Sequence, residues 1–242
     1  MQIIGGVAIN GGTQIIAPIS GSSIGSTTST LSPTLNGTST TTSNPYSGIS
    51  ANSYSMNGTS NYLSIPASSN WAFGTGDFTV EWWQYMTSQP ANPRIFAIGN
   101  YPSTAIGVSI EGGTFYIWEN SGFRYSTNLT SYLSAWIHFA ISRVSGQTSL
   151  YRNGTKVGSS YSDAYNINNS STQLCIGQES TPTASSYFPG YITSFRICKG
   201  LGVYTGNFTA PASPLGQTQS ANPYGGSNTS AITNQCVLLL NP

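Results

Sequence analysis

The chain has 242 residues, enough for one large domain that buries its core without disulfide staples. Only 5% of them are charged, the net charge is +1 and 12% are aromatic. That composition excludes a charge-rich disordered chain, and it leaves no electrostatic footprint for nucleic acid or an anionic membrane surface. Every Asp, Glu, Lys and Arg, and the one histidine, His138, falls between Asp77 and Lys199.

Residues 1–48 are rich in Gly, Ser and Thr and carry no charge. The aliphatic beads Ile3-Ile4, Val7-Ala8-Ile9 and Ile15-Ile16 suit strand addition to a partner or to the domain's own sheet. Residues 22–43 read as a flexible or extended linker. We therefore divide the chain into an N-terminal docking segment or linker over 1–48 and a folded domain over 49–242. Met1-Gln2-Ile3-Ile4 lacks a basic n-region, so no secretory signal is expected. No run approaches ~18 apolar residues, so no membrane insertion is expected.

Strand signals follow one another from there. Residues 61–65 form a short one, stopped by Pro66. Along 77–86, Phe78, Val80 and Trp82 point one way and Thr79, Glu81, Trp83 and Tyr85 the other. Segments 94–98, 105–110 and 114–118 come next, the last two joined by Gly112-Gly113 as a hairpin. Segments 136–144 and 148–152 flank Ser145-Gly146, and Asn153-Gly154 turns the chain again. Segments 173–177 and 191–198 add two strands, and 235–240 a last one, expected inside a sheet beside the strand near Tyr62. Many short strands with turn residues between them, and no helical stripe, predict an all-β antiparallel sandwich or barrel.

Three segments in order resemble the concanavalin A-like, laminin-G-like jelly-roll superfamily. They are Tyr62-Leu63-Ser64-Ile65-Pro66 with Phe73-Gly74-Thr75-Gly76-Asp77-Phe78-Thr79-Val80-Glu81-Trp82-Trp83; Trp136-Ile137-His138-Phe139-Ala140-Ile141-Ser142-Arg143 with Leu150-Tyr151-Arg152-Asn153-Gly154; and Leu174-Cys175-Ile176-Gly177 with Phe188-Pro189-Gly190-Tyr191-Ile192. A fourth, Lys199-Gly200-Leu201-Gly202-Val203-Tyr204-Thr205-Gly206-Asn207-Phe208-Thr209-Ala210-Pro211, is similar to the tail of such domains in phage and other viral structural proteins. The resemblance spans about residues 60–241. It implies a two-sheet jelly-roll sandwich with an extended N-terminal segment.

The chemistry-bearing residues are sparse. Some members of the superfamily are glycoside hydrolases, which need two carboxylates flanking the scissile bond. Here Glu81 is followed by Trp83 at i+2 and Tyr85 at i+4, and Glu111 and Glu119 lie on another hairpin. With His138 the only histidine, a catalytic triad has little to build on, and no enzyme activity is expected. Some relatives bind calcium, but the aspartates are only Asp77 and Asp163, so neither a metal nor another cofactor is expected, with a weak calcium site left open. Cys175, Cys198 and Cys236 read as small buried thiols, with a Cys175–Cys198 bridge as the open alternative.

Carbohydrate binding is the best-supported chemistry, because sugar C–H faces pack on aromatic rings. Trp83 and Tyr85 share one face of their strand, and Tyr116 and Trp118 one face of theirs; if both faces line one side of the sandwich they form an aromatic platform, the alternative being core packing. The expected role is that of a virion structural protein, a capsid decoration or tail/fibre component that presents the jelly roll on the particle surface as a homo-oligomer or in multiple copies. Its expected partners are other virion proteins, through the N-terminal segment, and a host-surface glycan. The alternative is a lectin-like adhesin that is not part of a virion.

Overall fold

The computed structural model describes residues 14–15, 31–100, 105–120, 122–180 and 186–242. In chain order their strands are β1 (Gln14–Ile15), β2 (Thr34–Asn36), β3 (Ser39–Thr41), β4 (Ser53–Asn57), β5 (Tyr62–Ile65), β6 (Phe78–Met86), β7 (Arg94–Ile98), β8 (Ile106–Glu111), β9 (Thr114–Glu119), β10 (Gly122–Asn128), β11 (Trp136–Val144), β12 (Gln147–Arg152), β13 (Thr155–Ser162), β14 (Leu174–Ile176), β15 (Pro189–Lys199) and β16 (Cys236–Asn241). Among the described residues only Ser69–Trp71 forms a helical turn, and no helix is long and apolar enough to cross a membrane.

The strands pair antiparallel in two sheets. One has nine strands along β1-β16-β15-β6-β11-β12-β13, with β4 on β15 and β3 on β4; the other has seven in the order β10-β9-β8-β7-β14-β5-β2. The period of two along β6 sends Phe78, Val80, Trp82 and Met86 into the space between the sheets. Trp82 is its hub: its ring lies 5.5 Å from Phe96, 6.5 Å from Phe115, 5.8 Å from Phe139 and 6.2 Å from Phe195, drawing on strands of both sheets. This is the jelly-roll sandwich that the sequence motifs imply.

A second apolar cluster lies on the outer face of the nine-stranded sheet. There Ala140, Tyr151, Cys198, Cys236 and Leu239 are covered by Val203, Tyr204, Leu215 and Ile232. Segment 201–235 thus folds back as a lid over strands that already bury their other face. This explains why β6 is buried along almost its whole length and shows no exposed polar face.

Two expectations about pairing are corrected. The last strand, β16, lies between β15 and β1, with Phe195 opposite Leu240 and Ile15 opposite Leu240 from the other side; β5, which holds Tyr62, is in the other sheet. Cys175 on β14 and Cys198 on β15 also belong to different sheets and cannot be cross-strand neighbours. Strand pairing is decided by long-range packing, to which a local apolar run is blind.

The compositional boundary at residue 48 does not coincide with the start of the sheets. β2 pairs with β5 and β3 with β4, Leu31 enters the core, and Tyr46 is buried. Of the aliphatic beads, Ile15 joins β1, while Ile3-Ile4, Val7-Ala8-Ile9 and Ile16 lie outside the described residues, as does much of the expected docking segment.

The hairpins expected at Gly112-Gly113, Ser145-Gly146 and Asn153-Gly154 form two-residue turns, each with positive φ at both positions, the geometry whose twist matches that of the flanking strands. At Gly154 (φ 80°) the lid also docks: the Phe208 amide donates to the Gly154 carbonyl at 2.8 Å, and a Cβ here would overlap the Phe208 carbonyl oxygen. Gly154→Ala should therefore destabilise the protein by ~2–3 kcal/mol, through backbone strain and displacement of the lid. Urea unfolding is expected to show a lower midpoint for this variant, and a smaller decrease for Gly112→Ala, whose surroundings are open and which carries backbone strain alone.

Candidate functional site

The four aromatic residues expected to form one platform are split between the two outer faces of the sandwich. Trp83 and Tyr85 project outward from β6 in the nine-stranded sheet, and Tyr116 and Trp118 from β9 in the seven-stranded sheet. A period of two assigns residues to a face of their own strand, but it does not say which sheet the strand joins.

On the nine-stranded sheet Trp83 is only 9% exposed. Tyr46 meets its ring edge-on at 6.2 Å and the His138 ring lies 5.3 Å away. Tyr46 is fixed in turn by a 2.5 Å hydrogen bond with Ser194 Oγ. Tyr85, two residues on, is partly exposed and sits between Trp136 and Tyr191, both at 5.7 Å. Trp136 and Tyr191 are its direct cross-strand neighbours on β11 and β15. The sequence reading missed them because each pairing is between strands far apart in the chain.

Beneath the lid lies Glu81, fully buried. Arg196 donates to Oε1 from Nε at 2.9 Å and from Nη2 at 2.6 Å, the Tyr204 hydroxyl donates to Oε2 at 2.6 Å, and His138 Nε2 is 3.1 Å from Oε2. Burial alone would raise the acid's pKa, but Arg196, with His138 and Tyr204, outweighs it and holds the carboxyl down at about 2. Both oxygens are engaged by donors from Arg196 and Tyr204, so Glu81 has the surroundings of a structural anion. His138 belongs to the same buried network, its backbone amide bonded to Asn153 Oδ1 at 2.8 Å.

The remaining acids are dispersed. Asp77 accepts the Ser145 amide at 2.8 Å; Asp163 accepts Thr148 Oγ1 at 2.7 Å and Arg143 Nη1 at 3.3 Å. Among the described residues no three His, Cys, Asp or Glu side chains gather as metal ligands. Glu119 faces inward from β9, where Tyr161 donates to its Oε1 at 3.0 Å and its Oε2 has no hydrogen-bond partner among the described residues.

The seven-stranded sheet carries the more open surface. Phe123 on β10 is 53% exposed and packs on Trp118 at 3.7 Å and Tyr116 at 4.7 Å. Trp118 itself is 6% exposed, held under Phe123 with the Arg94 guanidinium 5.4 Å from its ring centre. Trp118 Nε1 donates to Ser109 Oγ at 2.9 Å, Ser109 donates to Glu111 Oε1 at 2.8 Å, and Arg94 Nη1 donates to the same oxygen at 2.7 Å. An exposed ring thus sits beside a charged pair whose geometry is set by neighbouring strands, with side chains 12% and 24% exposed. Phe123 and Arg94 were not legible as partners of Trp118. Phe123 lies on a strand without a β-branched run, and Arg94 reaches the tryptophan across β8.

Fold and surface define an antiparallel jelly-roll sandwich of the concanavalin A-like class, with one face closed by a lid and the other partly open. Residues 57–201 match Laminin_G_3, of the concanavalin A-like lectin/glucanases superfamily, and since this is more than half of the chain, the protein belongs to that family. No curated protein has a matching sequence. Domain 4 of AbnA, an extracellular GH43 arabinanase from Geobacillus stearothermophilus solved with arabinotriose, is a structural neighbour at TM-score 0.50 and 16% identity over 78% of this chain and 84% of that one. The binding domain of botulinum neurotoxin serotype D/C is another, at TM-score 0.52 and 12% identity over 69% of this chain and 43% of that one. A botulinum neurotoxin DC binding domain in complex with rat synaptotagmin II matches at TM-score 0.50 and 11% identity over 69% and 42%. The chain therefore spans less than half of these toxin domains, and the likeness to all three is one of fold.

Glu119 generates a pH dependence. Burial, reinforced by Asp163, pushes its carboxyl up to about 8, against an ordinary value of 4.5. Between those limits the unfolded chain has lost this proton and the folded one keeps it, so stability should fall as pH rises from about 5 to 8, on the order of 1 kcal/mol per pH unit. Glu119→Gln is expected to remove most of that slope in urea unfolding followed across this range.

Proposed function

We propose that this protein is a surface-displayed binding module that recognises glycan on the outer face of its seven-stranded sheet. The observation that carries the reading is the exposed Phe123 ring, set on Tyr116 and Trp118 beside the Arg94–Glu111 pair. A sugar presents a C–H face to the Phe123 and Tyr116 rings and hydroxyls to the carboxylate and guanidinium. Trp118 acts from below, by orienting Phe123 and, through Ser109, Glu111. The arabinotriose complex of the AbnA domain adds a precedent for an oligosaccharide on this fold. Protein receptors are the alternative ligand class, of which the synaptotagmin complex is an example.

We further propose the virion as the setting, with the jelly roll on the particle surface as a capsid decoration or tail/fibre component in several copies. Its support is the likeness of segment 199–211 to tails of viral laminin-G-like domains. In this reading residues 1–13 and 16–30 hold the attachment function, since 14–15 and 31–48 contribute to the sandwich. Mass spectrometry of purified particles tests it: hundreds of copies would mark a capsid lattice and a few a tail. Absence from particles would leave a lectin-like adhesin.

Phe123→Ala should weaken binding to glycans found by an array screen about tenfold, since the lost contact is worth ~1–1.5 kcal/mol. The melting temperature should move by no more than ~2 °C, because the ring is mostly in solvent. Trp136→Ala on the opposite face should leave affinity unchanged. Loss in Trp136→Ala with retention in Phe123→Ala would move the site to the Tyr85 face, and an empty array would remove the glycan reading.

A further inference from the structure

Three thiols are free and buried, and two of them face each other. Cys198, near the end of β15, is the Cα partner of Cys236, the first residue of β16. They are 1% and 3% exposed, directly opposed on neighbouring strands. The Cys236 thiol is 3.4 Å from the Leu238 carbonyl oxygen. Cys175 sits in the seven-stranded sheet and has neither thiol for a neighbour.

From this placement the geometry points to Cys198 and Cys236 as a redox-modification site, a pair that closes to a cross-strand disulfide in an oxidising medium. Directly opposed residues on antiparallel strands hold Cβ atoms about 4.5–5.5 Å apart, and a disulfide needs about 3.5–4.5 Å, so the strands need to close by little. The pairing register shifts between Ile197 and Cys198, and such an irregularity gives the local backbone room to adjust.

The position gives the bond a consequence. Cys198 and Cys236 stand where the chain leaves β15 for segment 199–235 and where it returns in β16. That segment carries Val203, Tyr204, Leu215 and Ile232, the residues that cover the outer face of the nine-stranded sheet. A bond at its base ties both ends of the lid and limits the freedom of the unfolded chain. It would also secure β16, which pairs with β15 through Cys198 and Cys236.

The chemistry is thiol–disulfide exchange with a small disulfide such as oxidised glutathione. The Cys236 thiolate attacks one sulfur and releases the first glutathione as a thiolate. Cys198 then loses its proton, attacks Cys236 Sγ of the mixed disulfide and displaces the second glutathione. Two cysteine thiols are oxidised to one disulfide, one glutathione disulfide is reduced to two thiols, and the two protons pass to the released thiolates. Burial of both sulfurs makes the reaction in the folded protein depend on opening of the lid.

The test uses the full chain. It is incubated folded with oxidised glutathione, and separately refolded from denaturant in a glutathione redox buffer; the products are alkylated in denaturant and digested without reductant. The expected result in the refolded sample is a linked Cys198–Cys236 peptide pair, free thiols reduced from three to one, and a melting temperature about 10 °C above that of the reduced protein. Cys175→Ser should retain the link and the shift, and Cys236→Ser should lose both. Three alkylatable thiols after both treatments, or a link through Cys175, would overturn the pairing. A linked pair with no rise in melting temperature would overturn its role as a staple.

Discussion

The buried Glu81–Arg196 ion pair is the contact on which the closed side of this sandwich depends. Removing a carboxylate and a guanidinium from water costs several kcal/mol for each ion, which direct attraction offsets only with good geometry and full hydrogen bonding. Here Arg196 places two donors on one carboxylate oxygen while Tyr204 and His138 occupy the other. The guanidinium extends further, to the Gly216 carbonyl at 2.7 Å and Gln219 Oε1 at 2.8 Å. One charged pair therefore joins β6, β11 and β15 to three points on the lid. Loss of either partner would strand the other charge in an apolar layer.

Arg143 repeats the device near the other end of the sheet. It is fully buried and donates to the carbonyls of Gly74, Gly76 and Tyr165 as well as to Asp163. These carbonyls belong to segments outside the named strands, and the Gly74 carbonyl also accepts the Ile167 amide at 3.0 Å. A buried backbone acceptor needs a donor, and one guanidinium with five N–H groups serves several of them. Glu81, Glu119, Arg143, Asp163, Glu179 and Arg196 are all buried, so nearly half of the few acidic and basic side chains of this protein lie inside it. Charge here organises loops, while Ser, Thr, Asn and Gln supply much of the surface polarity.

The two outer faces then differ for a physical reason. The lid and Tyr46 cover most of the nine-stranded sheet and leave a partly exposed row of Tyr85, Trp136 and Tyr191. Among the described residues, no fully buried ion pair anchors a cover over β8–β10 of the seven-stranded sheet. Its side chains at that edge are fixed by one another: tryptophan to serine, serine to glutamate, arginine to glutamate. A surface held this way presents polar groups and an exposed ring without an ordering cost on binding, which is the preorganisation a binding face benefits from.

Much of this was determined by local sequence. Alternation along 78–86 separated Trp82 from Trp83, the Gly and Asn pairs placed three hairpin turns, and the jelly-roll motifs indicated the fold. These features are legible because strand period and turn stereochemistry are properties of neighbouring residues. The sheet to which each strand belongs is a property of the whole chain, and only the tertiary structure decided it. It put Trp83 and Trp118 on opposite faces, brought Phe123 and Arg94 to Trp118, and set Cys198 against Cys236. It also turned residues 31–48 and 201–235, which carry no clear periodicity, into strands and a lid. Their packing depends on contacts with residues more than a hundred positions away, such as Tyr46 with Ser194 and Tyr204 with Glu81, and no local pattern encodes those distances.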